Sequence, residues 1–128
     1  MPLYAGASGK LLLAESPEDV RKRLLSRSSL ERFTDETITN AKELRLDLEK
    51  IHELGYAVSL GERVAGAASV AAPVRDAKGT MVAAFTISAP RDRYESAAKL
   101  LIELTVEGAR QVSERMGYHS DGDRTSQR

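Results

Sequence analysis

Gly55-Tyr56-Ala57-Val58-Ser59-Leu60-Gly61-Glu62, then Gly66, then Ser69-Val70-Ala71-Ala72-Pro73-Val74-Arg75-Asp76 is the stretch that decides the fold. Gly55 is a helix stop, since a residue without Cβ enters the left-handed conformation that closes a helix. Tyr56 to Leu60 then forms a short strand, Glu62 to Gly66 a turn, and Ala67 to Arg75 a long buried strand. Ala67, Ala68, Ser69, Ala71 and Ala72 stand where a core would place Leu or Phe, so they leave room beside the sheet. Space dotted with hydroxyls and lacking a catalyst points to a small-molecule pocket.

Working outward, Asp76-Ala77-Lys78-Gly79 is a hairpin turn and Thr80 to Ser88 the return strand. That strand is almost wholly apolar, which predicts cover on both faces. Pro90 ends it. A long helix follows to Met116, with Ala97, Leu101, Leu104, Gly108, Val112 and Met116 as the inner stripe and Gly117 as the stop. Gly108 inside a helix predicts a close approach by a neighbouring element. Upstream, Asn40-Ala41-Lys42-Glu43 is a capping box, and Leu44, Leu48 and Ile51 follow at helical spacing. Ser16-Pro17-Glu18-Asp19 opens another helix with Ser16 as cap, and Lys10 to Glu15 is a short apolar helix capped by Ser8. Ser26 to Thr39 is a polar connection anchored by Phe33, with Thr37-Ile38-Thr39 extended. Tyr118 to Arg128 is a polar, disordered tail. The domain is therefore residues 1–117, with 118–128 outside it.

The 128 residues suffice for one domain with its own core. Lys plus Arg and Asp plus Glu both number 19, which argues against a free-standing nucleic-acid binder. The basic run Arg21-Lys22-Arg23, with Arg27, suits the negative end of a helix and is a solvated face. No cysteine is present, so thiolate metal sites and disulfides are excluded. With no signal peptide and no long apolar run, the expected location is cytoplasmic, away from membranes. His52 and His119 have no partners at metal-ligand spacing. Ser59, Ser69 and Ser88 have no base to activate them. The chain is read as a non-enzyme without cofactor or metal. Gly6-Ala7-Ser8-Gly9-Lys10 lacks the spacing of a nucleotide-hydrolysing phosphate loop, but small residues leading into a helix leave backbone N–H groups that suit a carboxylate.

Three blocks together resemble the effector-binding domain of IclR-type transcriptional regulators. They are Pro2-Leu3-Tyr4-Ala5-Gly6-Ala7-Ser8-Gly9-Lys10-Leu11-Leu12-Leu13-Ala14; Thr37-Ile38-Thr39 with Leu44 and the helix into Gly55-Tyr56-Ala57-Val58-Ser59; and Glu62 through Gly66 and Ser69-Val70-Ala71-Ala72-Pro73-Val74 to Ile87-Ser88-Ala89-Pro90. The resemblance implies an α/β (α+β), GAF-like domain, a curved antiparallel sheet with helices on both sides. It implies an effector, a small organic acid, bound by Ala7, Ser8, Ser59, Ala67, Ser69, Thr86 and Ser88. It further implies a homo-oligomer, a dimer in the family, that senses the effector and modulates DNA binding through a winged helix-turn-helix. That DNA-binding part is absent from this chain, which begins partway into the effector domain. An acidic residue that some members carry stands here as Ser59, and no basic residue is expected in the pocket. The alternative is an oligomerisation module with no ligand.

Overall fold

The computed structural model describes residues 3–27 and 30–119. Its elements are α1 (Ala7–Ala14), α2 (Glu18–Leu25), α3 (Ala41–Leu54), β1 (Ala57–Leu60), β2 (Ala67–Arg75), β3 (Met81–Pro90) and α4 (Arg91–Arg115). The strands form one antiparallel sheet in the order β1-β2-β3. Helix α1 lies on one face against all three strands, backed by α3, while α4 covers the other face over β2 and β3. This is the mixed α+β arrangement, with helices on both sides, expected above.

The local chemistry explains most boundaries. Asn40 caps α3, its side-chain oxygen accepting from the N–H groups of Lys42 and Glu43, and Gly55 closes the helix with φ +82°. Leu44, Leu48 and Ile51 are its buried face, whereas Leu54 is exposed. Asp76 takes the N–H groups of Lys78 and Thr80 on its carboxylate, which fixes the turn joining β2 to β3. Strand β2 runs over the interval the sequence indicates, and period-two alternation divides its small residues between the faces. Ala71 joins the α1-side core and Ala72 the α4-side cluster, so the small side chains do not all open on one side.

Several expectations are corrected. Helix α1 begins at Ala7 rather than Lys10, and Gly6 (φ +92°) holds its cap position, so Ser8 lies within the first turn and caps nothing. Pro17, not Ser16, occupies the cap position of α2, and the Ser16 hydroxyl turns back to the Leu12 carbonyl. Thr37 to Thr39 is not a strand. Phe33 is exposed and merely leans on the Tyr4 ring, with centroids 5.9 Å apart; buried Leu30 and Thr37 tie down the connection instead. Strand β3 is an edge strand, exposed or half-exposed along its length, because no further strand lies beyond it among the described residues. The buried face of α4 is Thr105, Ala109 and Ser113, while Leu104, Val112 and Met116 face outward. The helix kinks at Ala97 (φ −138°, ψ 28°). Gly108 does meet a close neighbour: a Cβ there would stand 2.6 Å from the Phe85 ring. Tyr118 is not loose, since its N–H donates to the Ser113 carbonyl and its ring lies against Gly79; residues 120–128 lie outside those described.

Candidate functional site: a polar cavity beside helix α1

Antiparallel register places hydroxyls opposite one another. Ser59 pairs with Ser69 across β1 and β2, Ser69 with Ser88 across β2 and β3, and Ala71 with Thr86. Paired residues share a face, so Ser59, Ser69, Thr86 and Ser88 all look toward α1. The start of α1 closes over them, the Ala7 N–H donating to the Ser69 hydroxyl at 3.4 Å. The result is a cavity of about 200 Å³ bordered by Ala7, Ser8, Ser59, Ala67, Ser69, Thr86 and Ser88. All the residues singled out from the sequence are thus brought together in one place. The N–H groups of Ser8 and Gly9 belong to the first turn and have no intrahelical partner.

The same cavity has walls that sequence reasoning did not include: Gly6, Glu62, Arg63 and Val64. Arg63 corrects the expectation that no basic residue is present. Its side chain is exposed and forms no ion pair among the described residues. Glu62 is 8% exposed and is tied to Lys10, which is 1% exposed. The Lys10 ammonium donates to Glu62 Oε2 at 2.8 Å, to Asp47 Oδ2 at 2.6 Å and to the Val58 carbonyl at 3.0 Å. A buried ammonium is tolerated because all three of its protons find oxygen. Burial pushes the Glu62 carboxyl above the ordinary carboxylate range, against the charge and hydrogen bond of Lys10, the influence of Asp47 acting in the same direction as burial. The Gly6 backbone N–H also favours the charged form of Glu62, whose Oε1 is sealed from solvent.

The turn carrying Glu62 is held from outside. The Thr37 hydroxyl donates to the Glu62 carbonyl and the Thr34 hydroxyl to the Gly61 carbonyl, while the Gly61 N–H reaches the Ala67 carbonyl at 2.7 Å. Gly61 sits at φ +69°, where a side chain would be strained. The missed signal for Lys10 was available in the spacing. Ala7, Lys10, Leu11 and Ala14 lie on one helical face, and a Lys on the apolar face of a helix requires a buried anionic partner. Among the described residues no cluster of His, Asp and Glu could hold a metal ion, and no helix is long and apolar enough to cross a membrane.

Comparison with known proteins gives the arrangement its context. The E. coli (strain K12) HTH-type transcriptional regulator KdgR is 35% identical over 119 residues, spanning 92% of this chain and 45% of that protein. The E. coli (strain K12) HTH-type transcriptional repressor AllR is 34% identical over 122 residues, 91% of this chain and 44% of that protein. The chain thus spans about half the length of the curated relatives it matches. Among solved structures, the C-terminal domain of E. coli KdgR superposes with a TM-score of 0.79 at 35% identity, over 91% of this chain and 72% of that one. An IclR homologue from Microbacterium hydrocarbonoxydans, complexed with 4-hydroxybenzoate, gives 0.82 at 29% identity, over 91% of this chain and 46% of that one. These relatives are transcriptional regulators and repressors, not enzymes. The family model described as "Bacterial transcriptional regulator IclR C-terminal" matches residues 1–114, and the chain belongs to that family of effector-binding domains.

Proposed function

We infer that the cavity beside α1 receives a small organic acid, and that its occupancy is the signal this domain passes on. The observation that carries the reading is the convergence of the α1 start, Ser59, Ser69, Thr86 and Ser88, and Arg63 on one cavity of about 200 Å³. That volume lies below the ~300–1,000 Å³ of sites for drug-sized ligands, so the ligand is small. Its carboxylate is held by the Ser8 and Gly9 N–H groups, by Ser69 and Ser88, and by Arg63 at the mouth. A helix N-terminus contributes about 0.3–1 kcal/mol toward an anion, and each charge-assisted hydrogen bond about 1.5–3 kcal/mol. Three such bonds bring the total near the ~8 kcal/mol of micromolar affinity. The 4-hydroxybenzoate held by the M. hydrocarbonoxydans homologue is an acid of this kind.

In the full-length setting, effector binding shifts the balance between arrangements of sensor domains in a homo-oligomer, and a DNA-binding part outside these residues responds. Calorimetric titration of the chain with carboxylic acids and with their amides tests the reading. Acids are expected to bind at least tenfold tighter than amides, and Ser69→Ala with Ser88→Ala to weaken the acids by a further tenfold. Amides that bind as tightly as acids, or substitutions without effect, overturn it. Absence of binding by any acid leaves the oligomerisation module as the function, for which sedimentation would show self-association.

A further inference from the structure

We propose that the open hollow between α2 and residues 30–33 is a second ligand site, and that it takes a monocarboxylate with an aromatic body. It shares no residue with the cavity beside α1, so the proposal stands apart from the acid-binding reading above.

Helix α2 has no buried residue, although Val20, Leu24 and Leu25 give it an apolar side. A surface helix normally seats such a stripe on the core. Here Val20 and Leu24 stay half-buried and border a hollow of about 570 Å³, within the ~300–1,000 Å³ typical of ligand sites. Buried Leu13 and Tyr4 line its inner wall, and exposed Phe33 stands at its rim. The Tyr4 hydroxyl donates to the Glu31 carbonyl at 2.8 Å, which fixes that ring. The Tyr4 and Phe33 rings meet at 33°, an arrangement that a third ring can join by its edge or by an offset face.

Cations stand on the same side of the helix. Residues 20, 23, 24 and 27 recur at helical spacing, and Arg23 and Arg27 border the hollow together with Val20 and Leu24. The other two cations of this basic run are engaged elsewhere. Arg21 donates to the Ala14 and Ser16 carbonyls, and Lys22 pairs with Glu18. Arg23 and Arg27 form no ion pair among the described residues. Attraction to the negative end of α2 accounts for cations near its C-terminus but not for their place beside its apolar residues. Like charges four residues apart on a helix repel, and among the described residues the one acid bordering the hollow is Glu31. Two guanidinium groups against one carboxylate leave a single positive charge, which a monoanion balances. Each guanidinium offers a fork that matches a carboxylate, and its methylene stem suits an apolar wall. A ring that carries one carboxylate answers both halves of the hollow. The cavity beside α1, at about 200 Å³, is left to the smaller acid.

Calorimetry on the full chain tests the site with 1-naphthoate, against neutral 1-naphthamide and against acetate, which has no ring. 1-Naphthoate is expected to bind at least tenfold tighter than either. Arg23→Gln with Arg27→Gln, both at exposed positions, is expected to weaken it tenfold or more, and Phe33→Ala at least threefold. Ser69→Ala with Ser88→Ala is expected to change it less than threefold. Should the Gln pair fail to fold, Arg23→Lys with Arg27→Lys decides, since it keeps the charge and removes the fork; a loss of at least threefold is expected. No binding of 1-naphthoate, equal binding of its amide, or arginine substitutions without effect each overturns the second site. If the serine substitutions abolish binding and the arginine substitutions do not, 1-naphthoate sits beside α1, and the second site fails while the acid-binding reading stands. If no probe binds and sedimentation shows self-association that the arginine substitutions remove, the hollow is an interface between copies and the ligand proposal is overturned.

Discussion

On its α1 side the sheet meets Tyr4, Leu11, Leu13, Leu44, Leu48 and Ile51, none more than 5% exposed, together with an ammonium shared by two carboxylates. On its α4 side the buried cluster among the described residues is Ala72, Val74 and Ala109, with Phe85 and Tyr56 packed at its margin. The contrast shows two ways of holding a helix to a sheet. The first uses large aliphatic side chains and leaves a polar cavity where they give way to serine. The second uses small residues so that backbone approaches backbone, and what it gains is closeness rather than buried area. Charged groups can be held in place on the first side because the surrounding core is rigid.

The largest expected effect comes from breaking the α1 side at its cation. Lys10→Met keeps the bulk of the side chain but leaves Glu62 and Asp47 without their shared counter-charge. Removing one partner of a buried ion pair costs about 3–5 kcal/mol. Because the Asp47 side chain is 28% exposed and partly rescued by water, the loss should fall near the lower figure. Urea denaturation would show it as a drop in midpoint at constant slope. Adding Glu62→Gln to Lys10→Met should restore part of the loss, since it removes the most deeply buried of the stranded charges. A single-variant loss under about 1 kcal/mol would mean that Lys10 does not organise this side.

A smaller effect is expected where α4 comes closest. Gly108→Ala gains about 1 kcal/mol of helix propensity, yet its Cβ would lie 2.6 Å from two Phe85 ring atoms. Overpacking of this kind costs about 1–3 kcal/mol, so a net loss on the order of 1 kcal/mol follows. Thermal unfolding measures it, and Phe85→Leu in the same chain should recover the stability by withdrawing the ring. If Gly108→Ala alone raises the melting temperature, the close approach is not holding α4.

What the sequence disclosed follows the same division. Strand β2, the Asp76–Gly79 turn, Asn40 and Gly55 were legible because each has a local cause: alternation, an Asx side chain, a cap, a positive φ. Ser69, Thr86 and Ser88 were legible because the hairpin turn pairs their strands and period two sets their faces, whereas Ser59 came only with the family resemblance. Lys10 betrayed itself only as a Lys on the apolar face of α1; its partner Glu62 stands 52 residues away, and no local pattern names that partner or places Arg63 at the cavity. The inner stripe of α4 was right at Gly108 and misplaced at Leu104 and Val112, where the buried positions are Thr105, Ala109 and Ser113. Small buried residues such as Ala109 and Ser113 also carry little weight against Leu104 and Val112 when a stripe is sought by hydrophobicity, although their size is the reason they fit.

The smallest expected effect isolates that error. Leu104 is 50% exposed, while Thr105 and Ala109 beside it are buried at 0% and 2%. Replacing an exposed side chain away from caps, cavities and networks changes stability by no more than about 0.5 kcal/mol in either direction. Leu104→Gln should therefore leave the melting temperature almost unmoved. Gln propagates a helix nearly as well as Leu, so no propensity penalty hides behind the result. Ala109→Leu, by contrast, forces a large side chain into the narrow gap with Ala72 and Val74 and should cost about 1–3 kcal/mol. The two positions lie on one helix five residues apart, one exposed and one buried. A loss at Leu104 as large as that at Ala109 would show that the outward stripe of Leu100, Leu104 and Val112 is covered in solution. The thin side of the sheet would then be one half of an interface rather than an outer wall.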